Sequence, residues 1–163
     1  KSSYKGFLYA GLMISNNEPF LIEYNVRMGD PECQTILPKL TSDFGEIVYS
    51  CCHGKLKETK INWNDKKSLC VVLCTRGYPN NYRKNIEIKD IHKVKLKKND
   101  HLFHAGTIKK DGIIFSVGGR VLNFVSLSNS FLESRNGIHK HINNLNWSDG
   151  FFRKDIGYKV IEK

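Results

Sequence analysis

Three polar side chains recur at every second position of one short segment: Glu23, Asn25 and Arg27. They alternate with the apolar residues Ile22, Tyr24 and Val26. Because successive side chains of an extended strand point to opposite faces, this pattern predicts one solvated polar face and one packed apolar face. The carboxylate of Glu23 and the carboxamide of Asn25 would be attached roughly 7 Å apart along the backbone, close enough to meet at one small cation.

Such a pair of oxygen ligands suits Mg²⁺, which keeps several waters and usually shares one or two protein carboxylates with the phosphates of a nucleotide. Arg27 would add a planar fork of donors able to hold a phosphoryl or carboxylate group bidentately. The segment therefore predicts a pocket for metal-bound polyphosphate. The alternation alone fits equally well an edge strand with a solvated polar face.

Composition restricts the class of protein. With 163 residues, 40% of them hydrophobic, the chain can form one full domain and part of another. It contains no apolar run of about 18 residues and no signal-peptide pattern, so we expect a cytoplasmic protein with no membrane partner. Its five cysteines lack a CxxC pair and are expected to be free thiols.

The formal net charge is +10, which would favour anionic substrates. Most of the basic residues are lysines spread along the chain, and no nucleic-acid-binding motif accompanies them, so no nucleic-acid partner is expected. The densest run, Lys-Val-Lys-Leu-Lys-Lys at 93–98, alternates like a solvated strand edge.

The first part of the chain predicts a hairpin followed by two helices. Residues 7–14 and 20–26 are β-prone arms on either side of the turn sequence Asn-Asn-Glu-Pro. Asp30 is predicted to cap a short helix with Pro31 at its first position, and Pro38 should end it. A second helix is predicted to open at Asp43, with an apolar face that should be core: Phe44, Ile47, Val48 and Cys51.

A polar stretch at 55–67 marks the boundary, so we divide the chain into domains at 1–58 and 59–163. Apolar runs and turn residues predict strands in the second part at 68–75, 86–91, 102–107, 112–117 and 120–125. Ser130 and Glu133 form a capping box that opens a long helix over 130–144, and residues 151–157 add a last strand or loop.

Six short motifs occur in a characteristic order. They are Tyr-Ala-Gly-Leu-Met at 9–13, Glu-Tyr-Asn-Val-Arg-Met-Gly-Asp-Pro-Glu at 23–32, Gly-Tyr-Pro at 77–79, Phe-His-Ala-Gly-Thr at 103–107, Gly-Gly-Arg-Val-Leu at 118–122 and Arg-Lys-Asp-Ile-Gly at 153–157. Across essentially its whole length the chain resembles the phosphoribosylamine–glycine ligases, or glycinamide ribonucleotide synthetases, of the ATP-grasp superfamily. Asn85 stands where a turn glycine is expected, and Asn tolerates a positive φ.

The resemblance implies an α+β fold: the C-terminal portion of an ATP-grasp domain, with an antiparallel hairpin and helices, followed by a small β-rich C-terminal domain with one long helix. It also implies a ligase of purine biosynthesis. In this family ATP phosphorylates glycine to glycyl phosphate, and the amine of 5-phosphoribosylamine displaces the phosphate to give glycinamide ribonucleotide, ADP and phosphate. The implied cofactors are ATP and Mg²⁺ or Mn²⁺.

Position by position, the resemblance assigns Glu23 and Asn25 as metal ligands and Arg27 as the catalytic arginine near the transferring phosphate. It assigns the substrate-binding loop to Arg27 and the four residues Gly29, Asp30, Pro31 and Glu32. Other polar residues have simpler interpretations. We expect His104 to be a structural imidazole and Arg153 to pair with Asp155, whereas Arg120 could either meet a phosphate or anchor a contact between domains.

The resemblance covers the C-terminal piece of such an enzyme, so its remaining partner would be the missing N-terminal part of the same polypeptide. We expect the isolated piece to have no detectable turnover. Two other classes stay open: another ATP-grasp carboxylate–amine ligase, which would carry a different continuation after Arg27, and a non-catalytic basic binding module.

Overall fold

The computed structural model describes residues 4–161, which divide into two compact units. The first unit runs to Asn64 and the second begins at Asp65. The sequence-based boundary at 58/59 lies six residues before this division. Each unit has its own elements and is described by itself.

The first unit is a β-hairpin followed by short helices. Strands β1 (Tyr9–Ser15) and β2 (Glu18–Asn25) pair antiparallel around the turn at Asn16 and Asn17, both of which have positive φ. Helices α1 (Glu32–Ile36) and α2 (Phe44–Cys52) follow, with 3₁₀ turns at Leu37–Lys39 and Leu56–Glu58. The register of the hairpin shifts at Gly11 and Leu12, so a bulge interrupts the pairing.

The expectation of one packed face on the hairpin is wrong. The apolar side chains of β2 and its continuation are exposed, among them Ile22 at 63%, Tyr24 at 62% and Val26 at 73%. The physical reason is that β1 and β2 form a sheet of only two strands, and no further strand of the first unit's described residues extends it.

The start of α1 also differs from the expectation. The helix begins at Glu32, and the residue in the N-cap position is Pro31, with φ −99° and ψ 19°, a conformation outside the helix. Asp30 lies one residue before the N-cap position, and its carboxylate accepts a hydrogen bond from Gln34 Nε2 at 3.1 Å. The Asp30–Pro31 peptide is cis. Helix α1 ends before Pro38, as predicted.

Helix α2 begins as predicted, because the side chain of Asp43 accepts a hydrogen bond from the backbone N–H of Glu46 at 2.8 Å. Its apolar face is not a closed core. It lines a cavity of about 250 Å³ together with Leu40 and Trp63, and no residue of the helix is fully buried.

The second unit contains two antiparallel sheets and one long helix. Its elements are β3 (Lys67–Thr75), β4 (Ile86–Glu87), β5 (Asp100–His104), β6 (Thr107–Lys110), β7 (Ile113–Ser116), β8 (Arg120–Ser128), α3 (Phe131–Leu145), β9 (Gly150–Phe151) and α4 (Tyr158–Ile161). The strand orders are β5-β8-β3-β9 and β4-β7-β6. Helix α3 packs on β3 and β8.

The core of the second unit lies between α3 and the four-stranded sheet. Its most buried apolar members are Val71, Val121, Leu122, Phe124 and Ile138, each at most 1% exposed. The N-cap half of the predicted capping box is present at the start of α3, with Ser130 Oγ accepting a hydrogen bond from the N–H of Glu133 at 3.2 Å.

Three strand expectations in this unit fail. The strand predicted at 102–107 ends at His104, and Thr107 begins a strand of the other sheet. The strand predicted at 86–91 stops at Glu87, because Asp90 has a left-handed backbone (φ 60°) and opens a 3₁₀ turn at Ile91–Lys93. The lysine run at 93–98 forms no strand edge; residues 94–99 carry no regular structure. Asn85 adopts φ 57°, as expected for a residue that replaces a turn glycine.

All five cysteines are free thiols. Within residues 4–161, none of the helices combines the length and the apolar character needed to traverse a bilayer.

Candidate active site

The end of strand β2 brings Glu23 and Asn25 together. Asn25 Nδ2 donates a hydrogen bond to Glu23 Oε1 at 2.9 Å, so the two side chains lie on the same face, as the alternation predicts. Glu23 is exposed and Asn25 half-buried, so solvent reaches the pair. A small solvated site with one carboxylate and one carboxamide is the result.

The partner strand supplies the rest of this face. Gly11 pairs with Glu23 and Tyr9 pairs with Asn25. A Cβ atom on Gly11 would lie 3.2 Å from Glu23 Cγ, so glycine leaves room for the glutamate side chain. The sequence did not assign Tyr9 to the site, although this residue pairs with Asn25 and its hydroxyl contacts Glu32.

Tyr9 links this face to the loop that follows. Its hydroxyl donates to Glu32 Oε1 at 3.2 Å. The negative charge of Glu32, loss of solvent, the hydrogen bond to Glu32 and the charge of Glu23 together raise the pKa of Tyr9 above its usual value. The phenol therefore stays protonated and donates, and two carboxylates lie near one hydroxyl.

The loop is shaped by Gly29 and Glu32. A Cβ atom on Gly29 would overlap the carboxyl group of Glu32, so only glycine allows this carboxylate to lie against the backbone. The N–H of Cys33 donates to the Gly29 carbonyl at 2.9 Å, which ties the loop to the first turn of α1.

Arg27 lies beyond the end of β2 and is exposed. Its Nη1 donates to the carbonyl of Met28 at 3.0 Å. A carbonyl accepts a hydrogen bond but does not neutralise the guanidinium charge, so Arg27 retains its charge for an anion.

The donor set fits a hard cation that keeps waters. Among the described residues, no group of three or more His, Cys, Asp or Glu side chains could enclose a metal ion. Glu23 and Asn25 offer two oxygen ligands, which is the number that Mg²⁺ takes from a protein when nucleotide phosphates and waters complete its shell. As placed, Asn25 turns its nitrogen toward Glu23, so its amide must rotate for both oxygens to face one ion.

The motifs of the second unit build a close backbone crossing. A Cβ atom on Gly106 would lie 2.6 Å from the Arg120 carbonyl oxygen and 2.7 Å from Gly118 Cα, so glycine is required there. Thr75 Oγ1 donates to the Gly118 carbonyl at 2.9 Å. The Tyr78 ring lies against Gly119. The motifs at 77–79, 103–107 and 118–122 therefore have a structural explanation, since their residues pack against one another at this crossing.

Two other expectations concern single side chains. His104 Nδ1 lies 2.9 Å from Thr107 Oγ1, as expected for a satisfied imidazole, although the residue is exposed. Arg153 pairs with Asp155 through two hydrogen bonds, 3.0 Å from Nε and 2.6 Å from Nη2, which confirms the predicted pairing. That pairing lowers the pKa of Asp155 and raises that of Arg153.

Comparison with protein families decides the affiliation. The model of the phosphoribosylglycinamide synthetase C domain matches residues 68–159, more than half of the chain, and that of the ATP-grasp (A) domain of the same enzyme matches residues 1–33. The chain belongs to the phosphoribosylglycinamide synthetase family. The first match contains α3 and most of the second unit, and the second contains Glu23, Asn25 and the loop to Glu32.

Individual relatives agree with this affiliation. Phosphoribosylamine–glycine ligase from Caldanaerobacter subterraneus is 44% identical over 94% of this chain and 36% of the relative, and that from Haemophilus influenzae is 43% identical over 98% and 37%. The chloroplastic enzyme of Arabidopsis thaliana is 36% identical over 97% of the chain and 30% of the relative. The chain thus spans about a third of the length of these curated relatives.

A solved structure gives the same result for the fold. The crystal structure of phosphoribosylamine–glycine ligase from Thermotoga maritima superposes with a TM-score of 0.78 and 32% identity, covering 95% of this chain and 38% of that one. The α+β fold with antiparallel sheets and few helices is therefore that of the C-terminal part of this synthetase family.

Proposed function

We propose that this chain is the C-terminal part of a phosphoribosylamine–glycine ligase, a cytoplasmic enzyme of purine biosynthesis. The reaction would join glycine to 5-phosphoribosylamine through glycyl phosphate, with release of ADP and phosphate. The observation that carries the proposal is the 2.9 Å hydrogen bond from Asn25 Nδ2 to Glu23 Oε1, within the segment that matches the ATP-grasp domain.

In this proposal, Glu23 and Asn25 hold the divalent ion of ATP, Mg²⁺ or Mn²⁺. When bound, such an ion neutralises charge on the transferring phosphate. Arg27 places its guanidinium at the same phosphate and at the carboxylate of glycine, where a fork of N–H donors binds two oxygens at once. The exposed position of Arg27 and its single carbonyl partner support this role.

The loop from Gly29 to Glu32 would hold the substrates. Glu32, fixed by Tyr9, would present a carboxylate to the amine of 5-phosphoribosylamine, and Asp30 and Pro31 would shape the loop around it. What supports this assignment is the hydrogen bond from Tyr9 to Glu32 and the glycine that lets the carboxylate lie on the backbone.

The N-terminal part of the same enzyme would be the partner that completes the ATP site. The exposed apolar side chains of the hairpin support this, because an uncovered surface of this kind in a soluble protein usually marks an interaction site. Leu12, Ile14, Phe20, Ile22 and Tyr24 are each more than half exposed.

A chimera tests the proposal. The N-terminal portion of the Haemophilus influenzae ligase, joined to this chain where the two sequences begin to match, should release ADP only when glycine and 5-phosphoribosylamine are both present. Glu23→Gln should lower kcat/KM by about 100-fold or more, because a metal ligand is lost. Glu18→Gln, on the same strand and also exposed, is the matched control and should retain activity.

Other outcomes separate the alternatives. ADP release that depends on Glu23 but requires a different acid or amine would indicate another ATP-grasp ligase. A chimera that folds and binds ATP but shows equal activity in the Glu23→Gln and Glu18→Gln variants would refute the assigned metal site. Nucleic-acid binding that falls steeply with salt and survives loss of Glu23 and Asn25 would favour the basic binding module.

A further inference from the structure

A second concave site lies entirely within the second unit. It is a groove of about 680 Å³, formed where strand β3, the end of α3 and strand β9 meet. A volume of this size suits a small organic ligand. The proposed ligase residues do not line it, and of the six sequence motifs only the one at 153–157 contributes a lining residue, Lys154.

The floor of the groove is apolar and aromatic. Leu73 and Ile142 form its buried base, and the half-buried rings of Trp147, Phe151 and Phe152 line it. The ring of Trp147 is fixed, because its Nε1–H donates to the Glu87 carbonyl at 3.1 Å. Its one N–H donor is thereby used, and what the indole can offer to the groove is a ring surface for stacking.

Gly150 leaves room for the Trp147 ring to lie beside Leu73 at the base of the groove. A Cβ atom on Gly150 would lie 2.7 Å from the Trp147 ring and 3.0 Å from Leu73 Cδ1. Any larger residue would therefore push the indole away from the base of the groove.

The rim of the groove is positively charged. Arg76 and Lys154 line it, and both are exposed. Within residues 4–161 no Asp or Glu lines the groove, and neither Arg76 nor Lys154 makes an ion pair. The two carboxylates adjacent in sequence to groove residues pair with other cations, Asp149 with Arg83 at 3.4 Å and Asp155 with Arg153 at 2.6 Å.

Arg76 is positioned without being neutralised. Its Nη2 donates to the Ser148 carbonyl at 3.1 Å, and its backbone N–H donates to the Asp149 carbonyl at 2.7 Å. A carbonyl holds the guanidinium in place but cancels none of its charge, and the remaining N–H donors of the fork have no described partner. Such a preoriented fork matches a phosphate group.

Two carboxamide side chains add neutral hydrogen-bonding groups to the groove. Asn143 and Asn146 line the groove and are exposed, and each offers a donor and an acceptor of hydrogen bonds. Asn146 is held at the C-cap of α3 with φ 46°, so its side chain starts from a fixed backbone.

We propose that this groove binds a nucleoside monophosphate, with the base stacked on the aromatic floor and the phosphate at Arg76 and Lys154. Three kinds of contact meet there: ring surface for a base, amides for its polar edge, and two uncancelled cations for its phosphate. The inference is independent of the proposed ligase activity, because none of the groove residues belongs to the Glu23 site.

Fluorescence of Trp147 tests the proposal in the 163-residue chain. The chain has two tryptophans, so a Trp63→Phe background leaves Trp147 as the reporter. Titration with AMP should quench or shift its emission to saturation. Arg76→Gln and Lys154→Gln should each weaken AMP binding by about tenfold while leaving adenosine binding within about twofold, because only the phosphate contact is lost.

Two further variants check the geometry. Asn146→Gly removes the amide yet keeps a residue that tolerates positive φ, and it should weaken AMP and adenosine equally. Lys110→Gln, in the β6–β7 sheet away from the groove, is the matched charge control and should bind AMP as the parent does.

Several results would overturn the proposal. The first is the absence of saturable AMP binding up to about 10 mM, a concentration above the dissociation constants usual for specific ligands. The second is an equal effect of Arg76→Gln and Lys110→Gln on AMP binding. The third is loss of AMP binding in the Glu23→Gln variant. The last of these would place the nucleotide at the ligase site. Single-stranded RNA that binds far more tightly than AMP, with affinity that falls steeply with salt, would replace the nucleotide by a nucleic acid.

Discussion

At the scale of single residues, the paired positions Glu23 and Asn25 could be predicted because the side-chain period of a strand is two. The hydrogen bond between them confirms that they share a face. Tyr9 could not be found in the same way. Counting back from the turn pairs Tyr9 with Tyr24, whereas the bulge shifts the register by one residue and pairs it with Asn25.

The contact of Tyr9 with Glu32 leads to a prediction about protonation. Glu32→Gln should lower the pKa of Tyr9 toward its ordinary value, because the largest cause of the raised pKa is the negative charge of Glu32. NMR titration of the labelled tyrosine ring carbons measures this pKa. A residual elevation of the pKa should remain from loss of solvent and, to a smaller extent, from the charge of Glu23.

The control for this measurement is Glu46→Gln, which changes an acidic residue in α2 that makes no contact with Tyr9. It should leave the Tyr9 titration unchanged. If Glu32→Gln and Glu46→Gln gave the same titration, the carboxylate that perturbs Tyr9 would have been wrongly identified.

At the scale of elements, α3 was the easiest to predict, because a capping box and an apolar stripe both indicate it. Strand β4 was predicted too long because the sequence pattern of residues 86–91 alternates, while the left-handed backbone at Asp90 ends any strand there. A backbone conformation of this kind depends on the chain around it and leaves little signal in a hydrophobic pattern.

Two residues of α3 offer a matched test of core packing. Ile138 is fully buried against β3 and β8, whereas Leu132 on the same helix is 47% exposed. Ile138→Ala should reduce the free energy of unfolding by about 2–5 kcal/mol, and Leu132→Ala by much less, because only the first leaves a cavity. Urea unfolding followed by Trp147 fluorescence, in a Trp63→Phe background, measures both. Equal losses would contradict the assigned face of α3.

The same helix is joined to the sheet by a buried polar network, which predicts a pH effect. Asp100 accepts hydrogen bonds from Ser126 Oγ at 2.6 Å and His141 Nε2 at 2.8 Å. Burial alone would raise the pKa of Asp100, but these hydrogen bonds and the charge of His141 outweigh it and lower the pKa below its usual value.

Since the folded-state pKa of Asp100 is depressed, its contribution to stability is complete above the unfolded-state value near 4 and is lost as the pH falls through the folded-state value. Urea midpoints measured from pH 6 to pH 2 should therefore decline for the parent and decline less steeply for Asp100→Asn. Ser126→Ala should cost about 1–3 kcal/mol at neutral pH, because it removes one donor to a buried carboxylate. Ser148→Ala, an exposed serine, is the control. An identical pH dependence in the parent and in Asp100→Asn would show that this carboxylate does not govern acid stability.

At the scale of the whole molecule, the fold class and the family could be predicted from motifs spread along the chain, but the packed face of the hairpin could not. The pattern of Ile22, Tyr24 and Val26 predicts that something covers this face, yet it carries no information about whether the covering layer belongs to the same 163 residues. In the second unit the covering helix α3 is part of the chain, so the equivalent expectation for β3 and β8 is confirmed.

This difference predicts unequal stability of the two units. Strands β1 and β2 form a two-stranded sheet in which most residues are exposed and none is buried, and such a hairpin is marginal in water. Strands β3 and β8 lie in a sheet packed against α3, so their amides open only in larger unfolding events. In hydrogen exchange measured by mass spectrometry, peptides from β1 and β2 should exchange on the order of a hundredfold faster than peptides from β3 and β8.

The chimera with the N-terminal part of the Haemophilus influenzae ligase extends this measurement. If that part covers the apolar face, exchange in β1 and β2 should slow sharply in the chimera, while exchange in β3 and β8 should stay the same, because the core beneath α3 is already complete. Slow exchange of the hairpin in the 163-residue chain alone would instead mean that its exposed face is already protected, for example by a second copy. Repeating the measurement at a tenfold lower protein concentration distinguishes that case, since protection by self-association falls on dilution.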